Sequence, residues 1–110
     1  MLLKNIHRSY KDEIIRAYGF IAKIKVWNSR REPTDRNVLK MIAKNFTGYR
    51  DIIDSGLDRT FRDRQMEEKE YRIYKFVAKK LPRSYVLKNF DRTADRTDLG
   101  ISLFLDMGRE

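Results

Sequence analysis

Apolar positions along this chain recur at helical spacing over three long stretches, with polar breaks between them. In the first, Tyr10, Ile14, Ala17, Ile21 and Ile24 follow at alternating spacings of four and three, which puts them on one helical face. That stripe predicts a helix from about Leu3 to Val26. Gly19 lies inside it and costs about 1 kcal/mol relative to Ala, which a stripe of this length outweighs. Asn28-Ser29-Arg30-Arg31-Glu32-Pro33 is the connecting loop, since Pro33 is excluded from a helix interior and turns Glu32 away from helical geometry.

The second helix begins at Thr34 or Asp35, either of which can cap it. Its buried stripe is Val38, Ile42, Phe46, Tyr49 and Ile53, flanked by Leu39 and Ile52. Ser55-Gly56 is expected to stop it, because Gly enters a left-handed cap at least cost. A third helix is expected from about Asp58 to Leu81, with Phe61, Met66, Ile73, Phe76 or Val77, and Leu81 inward. Its charged middle, DRQMEEKE, is predicted to pack less deeply. Pro82 ends or kinks it, and residues 83–90 form a short fourth helix carrying Tyr85, Val86 and Phe90.

These elements predict an all-α fold: a three-helix up-down-up antiparallel bundle with a short C-terminal helix and an apolar tail. Residues 1–90 read as the bundle and 91–110 as a docking tail. In the tail, Leu99, Ile101, Leu103, Phe104 and Leu105 make an apolar run too short for a core of its own.

Composition narrows the function. The chain has 110 residues, one domain's worth, and no cysteine, which excludes disulfides, thiolate metal sites and cysteine nucleophiles. No run approaches the roughly 18 apolar residues of a membrane span. Net charge is +9, with +5 in each of residues 1–34 and 56–90 and −2 in residues 91–110. Such a basic body attracts nucleic acid, anionic lipid or an acidic protein, and charge alone does not choose among them. The start, MLLKNIHRSYK, is basic, acid-free and amphipathic, as transit peptides are, yet it merges without a break into the first helix. It is expected to be retained as folded helix.

Catalysis is not expected. His7 is the single histidine, no Gly-rich loop cradles phosphate, and there is no Glu-x-x-His pair for a carboxylate-bridged metal. The carboxylates of Asp12-Glu13 and of Glu67, Glu68 and Glu70 read as solvated, charge-paired faces. No cofactor is implied by these residues. Trp27, at the end of the first helix, is either a plug for the bundle end or a partner anchor. Lys69, Arg72, Lys79 and Arg83 form a basic surface stripe.

Two aromatic-basic marks stand out: Ser9-Tyr10-Lys11 on the first helix and Lys44-Asn45-Phe46-Thr47-Gly48-Tyr49-Arg50 on the second. Together they resemble the LYR family of mitochondrial adaptor proteins, which are small, basic and helical. Tyr10 matches the family's Tyr, with Ser9 for its Leu and Lys11 for its Arg. Phe46 and Arg50 resemble its downstream Phe and basic residue. The branch that looks closest is the formation-of-mitochondrial-complex-V (ATP synthase) assembly factor, through SYKDEIIRAYGFIA, KNFTGYR and the apolar tail ADRTDLGISL. The resemblance implies a non-catalytic matrix protein that supports the chaperone of the ATP synthase α subunit during assembly of the catalytic head. It also implies partner-binding roles for Tyr10, Lys11, Phe46 and Arg50. An acyl carrier protein, bringing its acyl-phosphopantetheine, is a further implied partner, and an acidic carrier suits a basic body. The competing reading is a basic helical RNA-binding module such as a small organellar ribosomal protein, which net charge and Tyr71-Arg72-Ile73-Tyr74-Lys75-Phe76 fit. A phage or plasmid interaction protein is a third.

Overall fold

The computed structural model describes the backbone of residues 8–93 and the side chains of residues 10–90. Every regular element among them is a helix: α1 (Arg8–Asn28), α2 (Asp35–Arg62), α3 (Glu68–Lys80) and α4 (Arg83–Thr93). The fold is all-α, as the periodicity predicts. Its make-up differs from the expected three long helices, being two long and two short.

The centre of the molecule is α1. Ile14, Ile15, Ala17, Tyr18, Ile21, Ala22 and Val26 are all fully buried, a wider sector than the single stripe read from the sequence. Three elements cover it. Phe46 of α2 stacks on Tyr18, Tyr74 of α3 meets Tyr10 edge-on, and Phe90 of α4 lies against Gly19. A helix enclosed on several sides has no need of a single polar face. Ile24, at the edge of that enclosure, is half-buried.

The stripe of α2 is buried as predicted, with Leu39 and Ile52 half-buried beside it. The Thr34 hydroxyl accepts the Asn37 backbone N–H at 3.2 Å, capping the helix. Its end corrects the sequence reading. Gly56 does not stop the helix; it is buried, and Leu57 and Thr60 carry the inward face onward to Arg62. The stop comes at Arg64, whose φ of 59° puts it in the left-handed region. There the Gln65 N–H bonds to Thr60 O and the Arg64 N–H to Phe61 O, both at 3.0 Å, which is a Schellman motif. The third helix therefore starts at Glu68, leaving Phe61 in α2 and Met66 in the loop.

The end of α1 is built the same way around Arg30 at φ 62°. The Arg31 N–H bonds to Val26 O at 3.2 Å and the Arg30 N–H to Trp27 O at 2.9 Å. In both turns an Arg stands where a sequence reading looks for Gly.

α2 and α3 run antiparallel. Phe61 stacks on Tyr71, Asp58 meets Tyr71 and Lys75, Asp54 meets Lys75, and Arg50 meets Leu81. After Pro82, whose carbonyl accepts the N–H groups of Tyr85 and Val86 at 3.1 Å, α4 turns back onto α1 and buries Val86 and Phe90. It continues to Thr93, so the boundary expected between residues 90 and 91 falls inside a helix. The start of the chain (1–7) and the tail from residue 94, with Leu99, Ile101 and Leu103, lie outside the described residues.

Candidate functional site

The second aromatic-basic mark lies at a bend in α2. Asn45 leaves helical geometry at φ −118° and ψ 25°. Its side-chain amide donates to Met41 O at 3.1 Å, the carbonyl one helical turn back. An Asn that offers the backbone such a local partner competes with the helix and bends it. On the far side of the bend, the Arg83 guanidinium, from the first turn of α4, donates to Ala43 O at 3.0 Å. A recess of ≈ 520 Å³ opens there, lined by Ala43 to Gly48 and Arg83.

One residue past the bend, Phe46 stacks on Tyr18 with ring centroids 4.7 Å apart and planes 2° from parallel. The Arg50 guanidinium carbon stands 4.7 Å from the centroid of the same Phe46 ring. Arg50 also donates through Nη2 to the carbonyl of Leu81, the C-cap of α3. That carbonyl is one a helix end leaves without a partner, and the end carries partial negative charge, so a guanidinium suits it twice over. One cation thus joins α2, α3 and the aromatic contact with α1.

The junction is partly unsatisfied. Tyr18 Oη and Arg50 Nε are both buried without a hydrogen-bond partner among the described residues. Burial pushes the Tyr18 phenol up to about 12, against the pull of the nearby Arg50 charge. The next contact along α2 and α3 is ionic. Asp58 accepts from the Tyr71 hydroxyl at 2.6 Å and from Lys75 at 2.8 Å, and Lys75 reaches Asp54 at 2.7 Å. Between this cluster and Arg50 lies a second recess of ≈ 500 Å³, lined by Arg50, Asp51, Asp54, Lys75, Phe76 and Lys79.

The first mark sits elsewhere. Tyr10 meets Tyr74 at 4.9 Å with planes 66° apart, and the Lys11 ammonium lies 5.7 Å from the ring centroid of Tyr85. Tyr74 is held up at about 12 by burial first and then by Glu13 and Glu70. Tyr10 and Phe46 therefore do not share a ring partner. Their α1 contacts, at residues 10 and 18, are two turns apart, about 12 Å along the helix. Phe46 is 8% exposed and belongs to the core, whereas Tyr10 and Lys11 are half-buried.

Of the other sequence candidates, Trp27 is 67% exposed and plugs nothing. Lys69, Arg72, Lys79 and Arg83 are all exposed, with Arg72 paired to Glu68 at 2.9 Å. Sequence reasoning missed Tyr18, and it quoted Asn45 and Lys75 within longer segments without giving either a role. Tyr18 had a signal, since Ile14, Tyr18 and Ala22 repeat every four residues. Asn45 had one as well, being a poor helix former mid-helix.

Among the described residues no group of three or more His, Asp or Glu side chains is arranged to hold a metal ion, and no helix is long and apolar enough to cross a membrane. Comparison with protein-family models, with characterised proteins and with solved structures finds no match to this chain.

Proposed function

We propose that this protein is a non-catalytic mitochondrial adaptor of the LYR kind, which supports the chaperone of the ATP synthase α subunit while the catalytic head is assembled. One observation carries the reading. The two side chains of the downstream mark, Phe46 and Arg50, meet in one junction that ties three helices together, so the motif's spacing has a physical job. The upstream mark remains available for contact, because Tyr10 and Lys11 are half-buried at the α1 edge. In this reading Phe46 and Arg50 shape the bundle, while Lys11, Tyr10 and the tail run Leu99, Ile101 and Leu103 meet the partner. A basic surface favours acidic partners, and an acyl carrier protein is a second candidate of that charge.

Purification of tagged protein from its own cells, with mass spectrometry of what it carries, tests the proposal. Recovery of the α-subunit chaperone is the expected result. Lys11→Glu and truncation after Arg96 should each reduce that recovery while leaving the helices folded. RNA recovered in place of protein would favour the organellar RNA-binding reading, whose best support is the exposed stripe Lys69, Arg72 and Lys79 on α3.

A further inference from the structure

Trp27 is the protein's single tryptophan and, among the described residues, the one large apolar side chain that stands exposed. Its backbone is fixed by the turn that ends α1, where its carbonyl accepts the Arg30 N–H. The Ser29 hydroxyl secures the same turn by donating to Val26 O at 2.7 Å. Four of the exposed side chains at this corner are cationic: Lys25, Arg30 and Arg31 at the end of α1, and Arg36 in the first turn of α2. Arg31 donates to Asn37 Oδ1 at 3.0 Å and stays exposed. Glu32 and Asp35 are the two carboxylates of this corner.

A protein interface places such a ring at the centre of an apolar patch depleted of charge. Here the ring is alone and its surroundings are charged, which is unlike that centre. A bilayer surface asks for what is present. An indole settles at headgroup level with its ring in the apolar margin and its N–H wet, and cations beside it meet lipid phosphates. Each Lys or Arg held near an anionic leaflet strengthens binding by about fivefold.

We propose that the corner between α1 and α2 is a peripheral contact for an anionic lipid bilayer, with Trp27 seated among the headgroups and Lys25, Arg30, Arg31 and Arg36 facing lipid phosphate. One indole and four cations, offset by two carboxylates, make a reversible contact that salt weakens. It is separate from the partner-binding reading, which rests on other residues.

Because Trp27 is the sole tryptophan, its own fluorescence reports the site in the full-length protein. Vesicles of phosphatidylcholine containing phosphatidylserine should shift the emission to the blue and sediment the protein. Vesicles of phosphatidylcholine alone should do neither. Raising salt toward 1 M, where the screening length falls to about 3 Å, should reverse most of the binding. Lys25→Gln and Arg36→Gln should each weaken it about fivefold, and Trp27→Ala should abolish sedimentation at the same lipid concentration. No blue shift with the anionic vesicles overturns the proposal, as does undiminished sedimentation of Trp27→Ala. A shift produced by polyglutamate but not by vesicles would assign the corner to an acidic protein segment instead.

Discussion

The ring of Phe90 fills the space that a side chain on Gly19 would need: its Cε1 lies 2.8 Å from where a Cβ at residue 19 would stand. A glycine that looks like a flaw in the first helix is thus the seat of the fourth. Gly19→Ala gains about 1 kcal/mol of helix propensity, but it overpacks the α1–α4 contact, a change that costs about 1–3 kcal/mol. Urea unfolding should therefore find the variant destabilised or at best neutral. In a Phe90→Leu background the clash is relieved, and the same substitution should become stabilising.

Arg50 is predicted to act as a brace. Arg50→Met keeps the apolar stem and removes both the charge over Phe46 and the donor to Leu81 O. A hydrogen bond from a charged group is worth about 1.5–3 kcal/mol, which sets the expected loss. Arg50→Lys should recover only part of it, since an ammonium lacks the planar fork. Phe46→Ala should lose about 3–5 kcal/mol. A double-mutant cycle should give a coupling of about 0.5–2 kcal/mol between the two residues; additive losses would show that the guanidinium and the ring do not interact.

The two left-handed arginines are sites for stabilisation. A non-Gly residue in that region carries strain of roughly 1–2 kcal/mol. Arg30→Gly and Arg64→Gly relieve it, though each adds backbone freedom to the unfolded chain. Each should raise stability by about 0.5–1 kcal/mol, or a few degrees in Tm. The two turns are separate, so the effects should add. Calorimetry of the single and double variants checks both statements.

The Asp58–Lys75 pair predicts a pH window. Hydrogen bonds first from Lys75 and then from Tyr71 hold the Asp58 carboxyl below its ordinary 3.8. Burial pulls Lys75 down, and Asp54 and Asp58 outweigh it, leaving Lys75 above its ordinary 10.5. A carboxyl with a lowered value contributes stability that is complete above 3.8 and is lost as pH falls through the lowered value. A raised amine contributes stability that is complete below 10.5 and is lost as pH rises through the raised value. Asp58→Asn should therefore be less stable than the parent by about 0.5 kcal/mol at neutral pH, a small figure because the pair is solvent-screened. The gap should begin to narrow as pH falls past 3.8, close below the lowered value, and close again in strong base, as read by denaturant titrations across pH. A gap that persists unchanged in acid would rule out the ionic origin.

Much of the candidate site was legible along the chain. Phe46 and Arg50 are four residues apart, one turn of a helix, so periodicity alone puts them on one side. Their partners were not legible. Leu81 is 31 residues from Arg50, and nothing local tells a carbonyl which guanidinium will meet it. Tyr10 and Phe46 are both aromatics on inward stripes, which says nothing of what each will meet. The structure gives Tyr10 to Tyr74 and Phe46 to Tyr18, because α3 and α2 cover different turns of α1.

By itself the sequence determined the helical class, the inward stripe of α2, its start at Thr34 or Asp35 and the break at Pro82. Each of these depends on residues within a turn or two of one another. Tertiary structure decided where α2 stops, because Gly56 could end a helix and packing of Leu57 and Thr60 carried it on. The structure also shows that Arg30 and Arg64 take the left-handed turns, where the capping bonds outweigh their intrinsic preference. It also decided that Gly19 is a seat and Trp27 a projection. Those outcomes depend on which surfaces meet, and a pattern read along one helix carries no record of its neighbours.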